Sequence, residues 1–206
     1  LLQSFFLFAH GFFILLKRGG FMESKSITKL VYTVNTIILM LVYGLMFFFY
    51  LCKVHFLTIF SIPTSMIYLI GYYLIYKNKL DYYVWMVFSW LTLYMGVTTI
   101  CLGYNYGFHL YCFSMIPTMF VSEYISHKLK KNGLKALRVS LIIAVFYLIC
   151  TGYVSVFGPV YQTNIKAATV FWIFNAIIVF SFLIYYSNYL IRSIIRSEEK
   201  LLEIVK

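Results

Sequence analysis

Lys128-Leu-Lys-Lys-Asn-Gly-Leu-Lys-Ala-Leu-Arg138 carries five cations, and from Val139 to Phe157 the chain then runs without a charged residue. A charge-free apolar run of that length matches the roughly 30 Å hydrocarbon core of a bilayer. A basic cluster beside such a run is held on the cytoplasmic side. Read outward from this stretch, the same alternation recurs, giving apolar runs at 30–51, 56–76, 82–102, 108–126, 139–157 and 168–190. Lys25 and Lys29, Lys77 and Lys79, the 128–138 cluster, and Arg192, Arg196, Lys200 and Lys206 fall on one side. Only Lys53 and Lys166 fall on the other, while Lys17 and Arg18 precede the first run. The expected fold is all-α: a polytopic six-helix transmembrane bundle, N-in and C-in, continued by a C-terminal amphipathic signalling helix.

Composition points the same way. The chain is 63% hydrophobic and 11% charged, and 206 residues cannot hide that much apolar surface in a water-soluble globule. A net charge of +11 could serve nucleic-acid binding, but the cations form no aromatic-interleaved stripe or groove motif. Beside span ends they read as retention signals and as partners for anionic lipid heads, so the expected partner is a lipid bilayer and no nucleic acid. Cys52, Cys101, Cys112 and Cys150 lack metal-ligand spacing and read as small hydrophobes, with a Cys101–Cys112 bridge left open.

At the start, residues 1–21 hold an apolar stretch too short for a span, ending in Lys17-Arg18-Gly19-Gly20-Phe21 before Met22. Those codons can form a purine-rich ribosome-binding sequence, so 1–21 reads as translated upstream sequence, or else as an interfacial segment. Residues 22–190 then form the membrane domain, and 191–206 begin a cytoplasmic coiled-coil linker to an output domain downstream. That linker offers two heptad seams. One runs Leu190, Ile194, Ser197, Leu201, Ile204; the other runs Ile191, Ile195, Glu198, Leu202, Val205. Ile191, Ile195, Leu202 and Val205 are therefore expected to couple the membrane domain to its output, as a homodimer.

Within the runs, 20 Tyr and 21 Phe make an unusually aromatic bundle. Tyr72, Tyr73, Tyr76, Tyr82 and Tyr83 are expected in an interfacial belt. Deeper tyrosines need hydrogen-bond partners, available from Asn35, Thr36, Ser89, Thr92, Thr98, Thr99, Ser114, Asn175 and Ser181. Pro63 and Pro117 each remove a backbone hydrogen bond inside a span.

The most specific stretch joins spans three and four on the outer side, Leu102-Gly-Tyr-Asn-Tyr-Gly-Phe-His-Leu-Tyr111. Gly103 and Gly107 are the expected turn residues, free to take positive φ. Tyr104, Asn105, Tyr106, Phe108, His109 and Tyr111 are the candidate ligand-binding residues, set at the outer mouth where pockets form. Glu123, near the inner end of span four, lies roughly 21 Å from His109 along a helix. The two cannot share a proton, and Glu123 reads as a structural or coupling residue. Among short motifs there is no Ser/His/Asp set, HExxH, phosphate-cradling loop or Cys/His metal cluster. No catalytic site, metal or cofactor is expected in this chain.

That ten-residue stretch, with Ile116-Pro117 after it, resembles the region joining spans three and four in six-span input domains of bacterial GGDEF-type diguanylate cyclases. Those domains often show L-G-[WY]-x-x-G-F-x-x-Y followed by a proline. The similarity covers about Lys29 to Lys206, and Ser197-Glu-Glu-Lys-Leu-Leu-Glu-Ile-Val-Lys206 looks like the linker that enters a GGDEF domain. The GGDEF signature itself does not occur in residues 1–206. The resemblance implies a signal-input module in the bacterial inner membrane that couples an unknown small ligand or membrane signal to cyclic di-GMP synthesis. Histidine-kinase or adenylate-cyclase output, a small transporter component, and a purely structural anchor are the alternatives.

Overall fold

The computed structural model describes residues 24–128, 135–162 and 165–205. The reading of residues 1–21 as upstream sequence therefore lies outside the described residues, as does most of the basic loop after Lys128. Six α-helices follow in order: α1 (Ser24–Leu51), α2 (His55–Tyr76), α3 (Leu80–Leu102), α4 (Tyr111–Lys128), α5 (Ala136–Phe157) and α6 (Ile165–Val205). Two 3₁₀ turns, Tyr104–Tyr106 and Phe108–Leu110, join α3 to α4. No strand occurs among the described residues.

Among the described residues, four segments are long and apolar enough to cross a membrane: Val31–Leu51, His55–Tyr76, Leu80–Leu102 and Ala136–Phe157. Helix α4 has 18 residues and dilutes its apolar character with Glu123, His127, Lys128 and several hydroxyl residues. Helix α6 contributes a shorter apolar stretch, Ala168–Ser181, within 41 residues of continuous helix. The chain divides into two compact units, residues 1–101 and 102–206.

In the first unit, α1 packs on α2, and Val42, Tyr68, Ile75, Tyr83 and Val87 form the buried core. The inward face of α2 is Leu57, Ser61, Thr64, Ser65, Tyr68, Gly71 and Ile75, spaced as one stripe of a helix. Small and hydroxylic residues dominate it, while Phe56, Ile59, Ile62, Met66, Leu69 and Ile70 point outward. A helix with its polar groups inside and its bulky apolar groups outside is organised for an apolar surrounding. Polar bonds stitch the seam to α3: Trp90 Nε1 donates to Thr64 Oγ1 at 3.1 Å, and Ser61 Oγ pairs with Tyr94 Oη at 3.3 Å. Ser61 also donates to its own helix at Leu57 O, 2.8 Å, so the Tyr94 hydroxyl is the donor in that pair. Pro63 sits inside the continuous helix.

Of the five tyrosines expected in an interfacial belt, three are exposed and two are not. Tyr73, Tyr76 and Tyr82 are exposed, and the ammonium groups of Lys77 and Lys79 lie 5.9 Å from their ring centroids. Tyr83, by contrast, is buried, and Tyr72 turns inward to donate to Thr36 Oγ1 at 2.8 Å. Tyr83 belongs to the core, while Tyr72 is half-buried at its edge. Adjacent residues of identical type thus point in opposite directions. The α2–α3 turn puts Asn78 at φ 56°, a left-handed position that asparagine tolerates.

In the second unit, α4 packs against α5 and α6. Helix α5 turns Ala136, Ser140, Ile143, Cys150 and Val154 inward. Leu137, Leu141, Ile142, Val145, Leu148, Ile149 and Val156 face out, repeating the pattern of α2. Pro117 lies inside α4. All four cysteines are free thiols, so no Cys101–Cys112 bridge is formed.

Candidate functional site

The α3–α4 connection is longer than a minimal reversal, because two 3₁₀ turns precede α4 and place His109 outside that helix. Gly107 separates them at φ 74°, ψ 10°, a left-handed geometry that glycine adopts without strain. Its N–H bonds to Tyr104 O at 3.0 Å, and its carbonyl accepts from Leu110 N–H at 3.1 Å. The glycine also permits close approach: a Cβ here would lie 3.3 Å from the Cα of Trp172 on α6. Gly103, at φ 75°, abuts Pro159 in the same way, with 3.1 Å to its Cβ.

Asn175 of α6 organises the turn. Its Nδ2 donates to Tyr106 O at 2.7 Å, and its Oδ1 accepts from Tyr111 Oη at 3.0 Å. Both ends of one buried amide are therefore used, one by the turn's backbone and one by the residue that opens α4. Around them Tyr106 stacks with Phe108 at 6.4 Å and packs on Phe171 of α6 at 6.0 Å.

Tyr104 and His109 face the other way, toward α5. The Tyr104 hydroxyl donates to Thr151 O, so its 2.9 Å contact with Ser155 Oγ has the serine as donor, since a phenol has one proton. The His109 ring meets Tyr104 edge-on at 5.2 Å and lies 6.5 Å from Tyr147, which in turn packs on Phe113 at 5.0 Å. His109 Nδ1 is buried with no hydrogen-bond partner. Depending on its tautomer, it can accept or donate a bond.

The six candidate residues thus form two groups and not one. Tyr106, Phe108 and Tyr111 lock the turn to α6. Tyr104 and His109, with Tyr147 and Phe113, form an aromatic cluster against α5 in which His109 Nδ1 is unpartnered. Asn105 is exposed between them. Tyr147, Thr151 and Ser155 escaped the sequence reading; their 4-residue spacing on one face of α5 was the available sign. Asn175 had been named only as one of several partners for deep tyrosines.

Glu123 is 14 residues beyond His109, and its Oε2 accepts the Ala136 N–H at 2.9 Å. It caps α5, neutralising one of the unpaired donors at that helix start. Of the residues expected to couple to an output domain, Ile191 and Ile195 are exposed on α6, whereas the side chains of Leu202 and Val205 lie outside the described residues. No cluster of three or more His, Cys, Asp or Glu able to hold a metal gathers among the described residues. The chain matches no protein-family model, no curated protein and no solved structure.

Proposed function

We propose that this chain is a six-span signal-input module of a bacterial inner membrane, with both termini cytoplasmic, coupled to an output domain of the diguanylate cyclase type. The observation that carries the proposal is the double hydrogen bond of Asn175. The turn that carries His109 is tied to α6, and α6 continues without a break to Val205. A ligand at His109 that shifts the turn must move or break contacts made by the helix that leaves the membrane. Preference for one packing by about 1–3 kcal/mol suffices for a useful switch.

Three further features support the reading. The cations alternate between loops as retention in the cytoplasm requires. The outward faces of α2 and α5 are apolar. Exposed Ile191, Ile194 and Ile195 offer an apolar face to a second copy at the start of the coiled coil.

The test is cyclic di-GMP output from the full-length protein carrying His109→Ala, Tyr106→Ala or Asn175→Leu, at matched membrane abundance. Each variant is expected to change output while inserting normally. Parental output from all three would reject coupling through the turn. Output of a different second messenger, or autophosphorylation, would reassign the downstream domain and leave the coupling route standing.

A further inference from the structure

Two contacts fix the register of α4 against α5. Phe113 packs on Tyr147 with ring centroids 5.0 Å apart, and Glu123 Oε2 accepts the Ala136 N–H at 2.9 Å, so the two helices run antiparallel. Ten residues separate these contacts on α4 and eleven on α5, an advance of roughly 15–16 Å on each helix. The inward positions of α5 are Ala136, Ser140, Ile143, Cys150 and Val154, and with Tyr147 among them they alternate by fours and threes as one packed seam. Cys150 is the next position of that seam after Tyr147, and Cys112 is the residue before Phe113. In this register the two cysteines differ by only roughly 3 Å in height along the helix pair. Both are buried and both are free thiols. The Cys112 sulfur lies within electrostatic range of the Cys150 thiol and of the Tyr147 phenol. Two thiols therefore meet across the α4–α5 seam without a bond between them.

We infer that Cys112 and Cys150 are a redox pair that a lipid-soluble quinone oxidises to one intramolecular disulfide, stapling α4 to α5. Each thiol gives up its hydrogen, a sulfur–sulfur bond forms, and the quinone takes both electrons and both protons to leave as quinol. The setting selects the oxidant: the pair lies in an apolar seam, and Cys150 belongs to a helix apolar enough to cross a membrane, where charged reagents enter at high cost. The bond closes beside Tyr111, which donates to Asn175 of α6, so it ties the start of α4 to both of its neighbours. It requires no output domain.

The full chain reconstituted in lipid vesicles, reduced and then given decylubiquinone, tests this. After free thiols are blocked, non-reducing peptide mapping is expected to find Cys112 joined to Cys150 within one chain, with Cys52 and Cys101 still thiols and one quinol formed per bridge. A direct bond spans a Cα separation of no more than about 7 Å, so its formation reads the register itself. Absence of the linked peptide overturns the inference, as does a main product that joins Cys101 to Cys112 or links two chains. Oxidised glutathione, confined to water, is expected to give several-fold less of the bridge; an equal or greater yield also overturns it. Cys150→Ala combined with Ile149→Cys moves the thiol to an exposed position of α5 and is expected to lose the bridge. A bridge that forms as readily after the move shows that the seam does not pair the thiols and overturns the inference.

Discussion

At the scale of single residues, the two kinds of glycine in the second unit separate conformation from space. Gly107 occupies left-handed backbone and lies against the backbone of α6. Alanine there adds a conformational penalty of about 1–2 kcal/mol and pushes Trp172 by a few tenths of an ångström. Gly107→Ala is expected to lower stability by at least that penalty, measured as a shift in thermal midpoint in detergent, and to loosen the Asn175 bonds. Gly152 lies within α5, where a Cβ would meet nothing within 4 Å. Gly152→Ala is expected to raise stability by about 0.5–1 kcal/mol, since it removes backbone freedom from the unfolded chain. Equal responses of the two variants would mean that turn conformation is not what Gly107 supplies. The sequence marked Gly103 and Gly107 as turn residues because their spacing left no other punctuation between two apolar runs. What it did not mark was the neighbour each glycine makes room for, because Pro159 and Trp172 are more than 50 residues away.

At the scale of elements, apolar run length was enough to find the six α-helices among the described residues but not the two 3₁₀ turns, and the runs at 56–76, 82–102 and 139–157 match α2, α3 and α5 within a few residues. Direction was far less legible. A water-soluble helix announces its packed face by polar–apolar periodicity, but a helix apolar on all sides gives that signal up. This is why Tyr82 and Tyr83 looked alike as belt residues although one is exposed and the other is core. The hydroxyl residues were likewise ambiguous: Thr98 and Thr99 return their protons to carbonyls of their own helix, both at 2.7 Å, and Thr36 and Thr64 do the same but also accept from Tyr72 and Trp90 of other helices. Glu123 was legible as an outlier and not as a cap, because its partner Ala136 lies beyond the basic loop. Glu123→Ala is expected to cost about 0.5–2 kcal/mol, the usual range for losing a capping acceptor. Glu123→Gln retains an acceptor and is expected to lose a smaller part, up to about 1 kcal/mol from the charge at the helix start. Thermal midpoints of the two variants decide the matter; if glutamine is as damaging as alanine, the charge acts elsewhere than at this cap.

At the scale of the whole molecule, the balance between apolar faces and basic loops decides what the chain can be. Four helices meet the demands of a membrane crossing by length and composition. The six-span reading asks more of α4 and α6, where Glu123 and the tail cations interrupt the apolar record. On the six-span reading, an even number of crossings would keep the 128–138 cluster and Arg192 in one compartment with Lys77 and Lys79. If α4 did not cross, the cations on either side of it would be parted from one another across the bilayer, against the charge bias that orients such chains. Reporter fusions read this directly. Alkaline phosphatase is expected to be active when joined after Lys53, Asn105 or Gln162, and green fluorescent protein to fluoresce when joined after Asn78, Lys135 or Lys206. The fusions after Asn105 and Lys135 carry the most weight, because they flank α4. Phosphatase activity at both positions, or at neither, would remove α4 from the set of spans. His109 would then lie on the same side as the exit of α6, and no signal from across the membrane could reach it.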